Sequence, residues 1–554
     1  MVSAVRRPVK FLALSVLTLI AGVPVLAGLG MTVIKALNPA AWSVLMSTPG
    51  IWSSLALSLW TGGASSVLAL LIAHLTVAIA VPARWTGRLR AAILPLIALP
   101  HLAVGIGLAL MLAPSGLIVR LFSPWLTGFE QPPDWMTIQD PFGISLIIGL
   151  VTKEAPFLAL MLLGALAQMP SEPLMLASQT LGYGRLKAWL VSVAPALQRQ
   201  IRLPIAAVFV YGATNVDMAI PLGSQTPPPL SIVLWQWYTA SRLELQDAAF
   251  AGSILLLGAT LLGLISLAGA GRVGGAVMRR VATSGRRAAR DRALRTAISS
   301  LPLAVAVLGG GALLALALRA ASRMWRFPRV LPEHLGWETF ADTAPAATPP
   351  LSMTLTMAAL VAIAAVALTL AVVERLADNP RWTRTVGLCL FLPLVVPQLA
   401  FLFGLTWLAT RLRLEGTLLA VMWTHLLFAL PYTWGVLAAA RAALDPRYQL
   451  AARVLGAAPL RAWWTVTAPL LTRSALLAAS LAFAVSAALY LPTLFTGAGR
   501  IVTVATEAAG AAASGELHVA ALYGALQAAL PLIAFVITST AAHFAYRRFS
   551  GVPR

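Results

Sequence analysis

The segment Leu181–Arg199, LGYGRLKAWLVSVAPALQR, recurs 274 residues later as Leu455–Arg473, LGAAPLRAWWTVTAPLLTR. Nine positions carry the same residue in both copies, among them the glycines Gly182 and Gly456. Each copy is polar and basic, although long apolar segments lie on both sides of it. A repeat of this kind indicates that the chain consists of two related halves.

The whole chain has the composition of an integral membrane protein. Of its 554 residues, 59% are hydrophobic and only 10% are charged, whereas soluble domains carry about 25% charged residues. Apolar runs that could cross a bilayer core, which takes about 20 residues of helix, occur at twelve places. The alternating pattern of an outer-membrane barrel is absent from the sequence. We therefore predict an all-α polytopic membrane protein with about twelve transmembrane helices in the lipid bilayer.

Six predicted spans lie in each half of the chain. They cover, approximately, residues 11–34, 52–80, 91–113, 142–167, 201–222 and 248–270, and then 298–318, 350–376, 385–410, 416–440, 474–496 and 517–545. Because six spans separate equivalent points, the halves are predicted to be parallel repeats, with both repeated loops on the same side of the membrane. The first span shows no convincing cleavage site and is interpreted as an uncleaved helix.

The distribution of arginine predicts which side of the membrane each loop occupies. The net charge of +22 comes from arginines at the ends of apolar runs and in segment 271–297, which we interpret as an Arg-rich cytoplasmic linker. These arginines form no patch interleaved with aromatic residues, so no nucleic-acid partner is expected. Both loops and both termini are expected in the cytoplasm. The linker separates a first domain, 1–270 (core about 50–270), from a second, 298–554 (core about 350–545).

The repeated loop resembles the cytoplasmic coupling loop, or EAA loop, of type I ABC importer permeases. In that family the loop forms two short helices joined by a turn at the glycine, and it docks into a groove on a separate ATPase subunit. Leu176 and Leu450 stand where the family has an acidic residue. The resemblance implies that the residues coupled to the ATPase are Ala177, Leu181, Gly182 and Pro195 in the first loop and Ala451, Leu455, Gly456 and Pro469 in the second.

The resemblance extends over nearly the whole chain, including the runs FGISLIIGLVTKEAPF and VDMAIPLGSQTPPPLSIVLWQW. The chain is similar to fused permeases for iron(III) and thiamine and to a related permease of unassigned substrate. It is identified as the permease subunit of a binding-protein-dependent importer in a bacterial inner (cytoplasmic) membrane. The resemblance implies two cytoplasmic ABC ATPase subunits, a periplasmic substrate-binding protein and no cofactor. No lysine follows a glycine, so the chain encodes no phosphate-binding loop and is not expected to be an enzyme.

Ionisable residues within the predicted spans are concentrated in the first half. Span four carries Lys153 and Glu154 before Pro156, and span five carries Asn215 and Asp217. Such residues are costly in a bilayer unless they face a cavity or a partner. One interpretation is that they line the translocation path. The other is that Lys153 or Glu154 pairs with Asp217, or with backbone groups freed at the prolines, and holds the bundle together.

Two other function classes remain open for these residues. A secondary transporter driven by an ion or proton gradient could use Asp217 and Glu154 as its sites, and uptake sensitive to ionophores but not to ATP would favour it. An intramembrane enzyme would need a convergent catalytic set, which the sequence lacks. No metal site is expected, because the histidines show no metal-binding spacing. Those within spans are interpreted as helix-packing or interfacial residues: His74, His101, His425 and His543.

Overall fold

Every regular element that the structure describes is a helix, which agrees with the predicted all-α class. The computed structural model describes residues 20, 22–80, 86–284, 292–336, 338–377 and 379–547. Much of the first predicted span and residues 285–291 of the predicted linker lie outside these ranges.

Fourteen helices occupy the described residues up to Thr283. They are α1 (Val23–Ala36), α2 (Pro39–Ser47), α3 (Ile51–Ala80), α4 (Thr86–Ala98), α5 (His101–Leu112), α6 (Leu117–Phe122), α7 (Ile144–Leu166), α8 (Ser171–Thr180), α9 (Arg185–Ala188), α10 (Ala194–Gln200), α11 (Arg202–Thr214), α12 (Ala219–Leu222), α13 (Leu230–Thr239) and α14 (Leu243–Thr283). A π-helical turn, Trp189–Val193, joins α9 to α10.

Twelve helices follow in the described residues from Arg292 onward. They are α15 (Arg292–Ala320), α16 (Glu338–Leu376), α17 (Pro380–Leu390), α18 (Leu392–Val395), α19 (Gln398–Arg411), α20 (Leu418–Ala443), α21 (Pro446–Val454), α22 (Pro459–Ala462), α23 (Ala468–Ala488), α24 (Leu491–Gly497), α25 (Val504–Ser514) and α26 (Leu517–Arg547). A second π-helical turn, Trp463–Thr467, joins α22 to α23.

The number of single helices that could cross a membrane is lower than the predicted twelve. Nine helices in the described residues are long and apolar enough, and α1 with α2, bent by 79° between them, would make a tenth. The difference arises because some predicted spans are divided into shorter helices. Within the described residues, each predicted span coincides with one helix or with such a divided set.

Four predicted spans are divided at equivalent places in the two halves. Pro100 separates α4 from α5, and Pro397 separates α18 from α19. A proline lacks the N–H that would bond the carbonyl four residues earlier, and its ring clashes with that carbonyl. The other pair of breaks lies between α11 and α12, at Asn215–Met218, and between α23 and α24, at Leu489–Tyr490.

The helices form two compact packing units. One unit comprises residues 33–340 and 509–525, and the other comprises 341–508 with the residues up to Thr32 and those from Leu526 onward. Most of α1 therefore belongs to the unit that contains α16–α24, whereas α15 belongs to the unit that contains α3–α14. The predicted domains follow the sequence repeat instead, with α1 in the first domain and most of α15 in the second.

Glycines allow α1 and α15 to pack closely against other helices of their units. Gly404 of α19 lies against Gly28 and Thr32 of α1, and the Gly404 N–H donates to Thr32 Oγ1 at 3.1 Å. Gly107 of α5 lies against the backbone of Ala312 of α15. A Cβ at Gly404 or Gly107 would overlap these backbone atoms. The two glycines are equivalent, since each follows the dividing proline by seven residues, and small residues allow membrane helices to approach closely.

A central helix organises each unit. In the first unit α7 packs against α3 and α4, and in the second α20 packs against α23 and α24. The longest helix, α14, has 41 residues, or about 60 Å of helix. It continues through the start of the predicted linker as far as Thr283, and α15 begins within the linker at Arg292.

Candidate functional site

A left-handed glycine ends the first helix of the first repeated loop. Helix α8 ends at Thr180, and Gly182 follows with φ of +87°. The Gly182 N–H donates to Gln179 O at 2.9 Å, and the Tyr183 N–H donates to Ser178 O at 3.3 Å. This pair of bonds is the Schellman motif, in which the glycine adopts the conformation that other residues avoid.

The second loop repeats this turn. Helix α21 ends at Val454, and Gly456 has φ of +90°. The Gly456 N–H donates to Arg453 O at 3.1 Å, and the Ala457 N–H donates to Ala452 O at 3.0 Å. A Cβ at Gly456 would meet no atom within 4 Å. Glycine is therefore favoured here by its backbone conformation and not by lack of space.

A widened helical turn follows the glycine in both loops. The N–H groups of Ala194 and Ala468 bond the carbonyls of Trp189 and Trp463, five residues earlier. Pro195 or Pro469 comes next, and a proline displaces the carbonyl four residues before it. The i→i+5 bond of a π turn accommodates that displacement. Each loop thus continues through a π turn into the next helix of its unit.

Apolar side chains are exposed at the tips of both loops. Leu181 is 60% exposed and Leu455 is 88% exposed. Ala177, Ala451 and the leucines in place of the family's acidic residue, Leu176 and Leu450, are exposed as well. Exposed apolar patches within polar surroundings are typical of surfaces that bind a partner.

Different side chains attach the two loops to their units. In the first loop Trp189 is buried at 1% exposure, and the Tyr183 hydroxyl donates to Ala282 O near the end of α14 at 2.7 Å. In the second loop Gln449 Nε2 of α21 donates to Glu374 Oε1 of α16 at 3.3 Å. Arg441 Nε of α20, which precedes the loop, donates to Oε2 of the same carboxylate at 2.7 Å. The first attachment is largely apolar, whereas the second is an amide hydrogen bond to a carboxylate that an arginine of α20 holds.

Lys153 and Glu154 of α7 reach the two sides of one helix break. Lys153 Nζ donates to Leu96 O at 3.0 Å and to Ile97 O at 2.6 Å, in the last turn of α4. Glu154 Oε1 lies 2.9 Å from Nε2 of His101, the first residue of α5. The lysine is therefore bonded to carbonyls at the proline break and not to Asp217.

The Glu154–His101 pair was missed by the interpretation of His101 as a packing or interfacial residue. The His101 ring also lies 4.4 Å from the Tyr211 ring, centroid to centroid. The two partners of this contact are 53 residues apart, and no spacing in the sequence indicates it. The position of His101 directly after Pro100, at the start of a helix, is the one signal that could have suggested it.

Asn215 and Asp217 lie in the break between α11 and α12. Asn215 bridges this break, because its Nδ2 donates to Gly212 O at 3.1 Å and its Oδ1 accepts from the Ala219 N–H at 3.2 Å. The Ser231 hydroxyl donates to Asn215 O at 2.8 Å. Asp217 Oδ1 is buried and has no hydrogen-bond partner among the described residues.

Outside the spans, Asp140 fixes the start of α7. Its Oδ1 accepts from the N–H groups of Phe142 and Ile144 at 3.1 and 2.9 Å. Its Oδ2 accepts from the Ser145 N–H at 2.8 Å, and the Ser145 hydroxyl is also 2.8 Å away. Burial acts to raise the pKa of the Asp140 carboxyl, but these hydrogen bonds outweigh it and hold the pKa below its usual value.

The site and the fold can be compared with known proteins. No protein-family model matches the chain. It is 30% identical over 514 residues to the inner membrane ABC transporter permease protein YnjC of Escherichia coli (strain K12), and the alignment covers 92% of this chain and 91% of that relative. Identity at this level along nearly all of both chains shows common descent. Together with the polytopic helical fold, it shows that the chain belongs to the inner membrane ABC transporter permeases.

Proposed function

We propose that this chain is the complete transmembrane part of a binding-protein-dependent importer, with two permease domains fused in one polypeptide. The observation that carries this proposal is the pair of loops at Gly182 and Gly456, which share a Schellman turn and a π turn. Two loops of one backbone geometry suit a dimer of ATPase subunits, with one loop for each subunit.

Each loop is suited to transmit movement from a docked ATPase. Its exposed apolar tip offers a surface for binding, and the chain continues from the tip through the π turn into a helix of its unit. ATP hydrolysis takes place on the two separate cytoplasmic subunits, because no lysine of this chain follows a glycine as a phosphate-binding loop requires. Cargo arrives from a periplasmic substrate-binding protein, and both chain termini are cytoplasmic.

The translocation path lies at the divided helices. Broken helices are where membrane transporters commonly place polar groups that meet a substrate, because freed backbone and side chains can line a cavity there. Asn215 and Asp217 lie in such a break, and Lys153 and Glu154 support another. The cargo is a small solute such as iron(III), thiamine or a related compound, as the family resemblance suggests.

Co-purification from native membranes tests the proposal. Tagged wild-type chain should bring down an ATPase with a phosphate-binding loop and a periplasmic protein, whose bound ligand then identifies the cargo. Gly456→Trp should insert normally but lose the ATPase, as should Gly182→Trp. Gly515→Trp is the matched control, because Gly515 also has a positive φ, +79°, and open space around a Cβ, but lies outside both loops.

Two results would contradict the proposal. One is that Gly456→Trp retains the ATPase as well as Gly515→Trp does, which would remove the loop from the interface. The other is that the wild-type chain purifies alone and transports solute into liposomes without ATP, with sensitivity to ionophores. That second result would identify a transporter driven by an ion gradient.

A further inference from the structure

His425 of α20 joins two half-helices of the second unit. Its Nδ1 lies 2.8 Å from Oγ of Ser486, in the last turn of α23, and its Nε2 lies 2.9 Å from Oγ1 of Thr493, in the first turn of α24. The residue is buried at 1% exposure. Because α23 ends at Ala488 and α24 begins at Leu491, one imidazole ring reaches both sides of the break.

The proton in each bond can be assigned from the partners. Thr493 Oγ1 donates to Leu489 O at 2.8 Å, so its one proton is used and it can only accept from His425. Nε2 of His425 therefore carries a proton. A buried ring between two uncharged hydroxyls is neutral, so Nδ1 accepts the proton of Ser486. The hydrogen bonds run without conflict from α23 through His425 to Leu489, the residue at the break.

Other contacts fix α24 to α20 and to the segment that precedes α20. Thr424 Oγ1 lies 3.1 Å from Thr496 Oγ1, and the Gly416 N–H donates to Thr496 O at 2.8 Å. The equivalent break in the first half is bridged by the amide of Asn215. Leu489 occupies the matching position in the second break and has no polar side chain, so a side chain from α20 supplies the bridge there.

The bridged break lies at the far end of a helix that starts at the second coupling loop. From α22 the chain runs through the π turn into α23 without interruption. Helix α23 has 21 residues, or about 30 Å of helix. Movement of the loop would reach Ser486 along this helix and would pass to α24 across the break.

We propose that His425 is a positioning residue for transport, which holds the end of α23 and the start of α24 together so that they move as one body. The inference rests on the proposed function, since it takes the second loop as the source of the movement. Without the imidazole, α23 could move while α24 stays bonded to α20 through Thr496.

Spin labels on either side of the break test this directly. The labels replace Leu477 of α23 and Val502, which follows α24; both are exposed, by 43% and 38%. Cys389 is replaced by serine. The chain with its co-purified ATPase is studied in lipid nanodiscs, without nucleotide and after trapping with ATP and vanadate. In the wild type we expect one narrow distribution of label distances, the same without nucleotide and after trapping.

His425→Ala should broaden this distance or make it differ between the two states by up to about one helical turn, 5 Å. His425→Gln can keep the bond to Thr493, and His425→Asn can keep the bond to Ser486. The label distances of both variants should therefore lie between those of the wild type and of His425→Ala. ATP hydrolysis should stay within about twofold of wild type. His74→Ala is the control, because His74 is also buried but its Nδ1 has no partner among the described residues.

Three outcomes would overturn the inference. They are a wild-type distance that already changes on trapping, a His425→Ala distance identical to wild type in both states, and the same change in His74→Ala. If no ATPase co-purifies, the proposed function fails instead. The comparison of wild type with His425→Ala without nucleotide still tests the bridge in that case.

Discussion

Replacing Lys153 by methionine should destabilise the chain far more than the same change at a peripheral lysine. Lys153 is 6% exposed and donates to Leu96 O and Ile97 O. Pro100 has no N–H to bond the Leu96 carbonyl, and the break leaves the Ile97 carbonyl free as well. Methionine has a similar length but no donor. Lys153→Met therefore leaves two partly buried carbonyls unbonded.

The size of the expected loss in free energy of unfolding follows from these two hydrogen bonds. Each carbonyl left unbonded costs about 1–3 kcal/mol. Removal of a buried ammonium, which is itself costly to keep out of water, offsets part of the loss. We expect the free energy of unfolding to fall by about 3 kcal/mol. Lys35→Met is the matched control, because Lys35 lies 3.7 Å from Asp247 with both side chains about a third exposed, and such pairs contribute under about 1 kcal/mol.

Unfolding in mixed detergent micelles, followed by tryptophan fluorescence, measures both variants. Lys153→Arg should recover part of the loss, since a guanidinium can also donate to two carbonyls. Equal costs for Lys153→Met and Lys35→Met would refute the reasoning. That result would mean that Lys153 does not stabilise the break, and it would favour its role in the translocation path.

Two further predictions concern the second repeated loop and the start of α7. Arg441→Ala removes the ion pair that holds Glu374, the carboxylate to which Gln449 of α21 donates. Amide hydrogens of α21 should therefore exchange about tenfold faster, while those of α8 in the first loop stay unchanged; equal protection of α21 in both proteins would contradict this attachment through Glu374. Asp140→Asn removes a carboxylate whose pKa is lower folded than unfolded, so its stabilisation is present above about pH 4 and is lost as the pH falls through the folded pKa. The difference in free energy of unfolding between wild type and Asp140→Asn should therefore shrink on acidification. A constant difference from about pH 6 to pH 3 would mean that the charge of the Asp140 carboxylate does not stabilise the start of α7.

Features set by a few neighbouring residues could be predicted from the sequence. The helical class follows from the apolar runs, and the structure confirms it. The repeated loop is bounded by Gly456 and Pro469, whose backbone restrictions act within one or two helical turns. For that reason, the identity of two residues in each copy goes far toward specifying the geometry of the turn.

Contacts between helices could not be predicted in the same way. His425 bonds residues 61 and 68 positions away, and the sequence does not state how α20 is rotated against α23. Lys153 and Glu154 are adjacent on α7, so their side chains leave the helix in different directions. The break at Pro100 is long enough that each side chain reaches one edge of it.

The breaks recur at equivalent places in the two halves, but the polar groups that support them differ. The break at Asn215 is bridged by the amide of Asn215 itself, whereas the equivalent break at Leu489 is supported by His425 of α20. Divided helices in a membrane need such groups, because the freed backbone finds no water there. That need accounts for the bonds of Lys153 and Asn215 to backbone groups, whereas Glu154 lies against the His101 side chain. Asp217 Oδ1 is buried with no partner among the described residues, and we propose that this carboxylate is the group of the path that contacts the cargo.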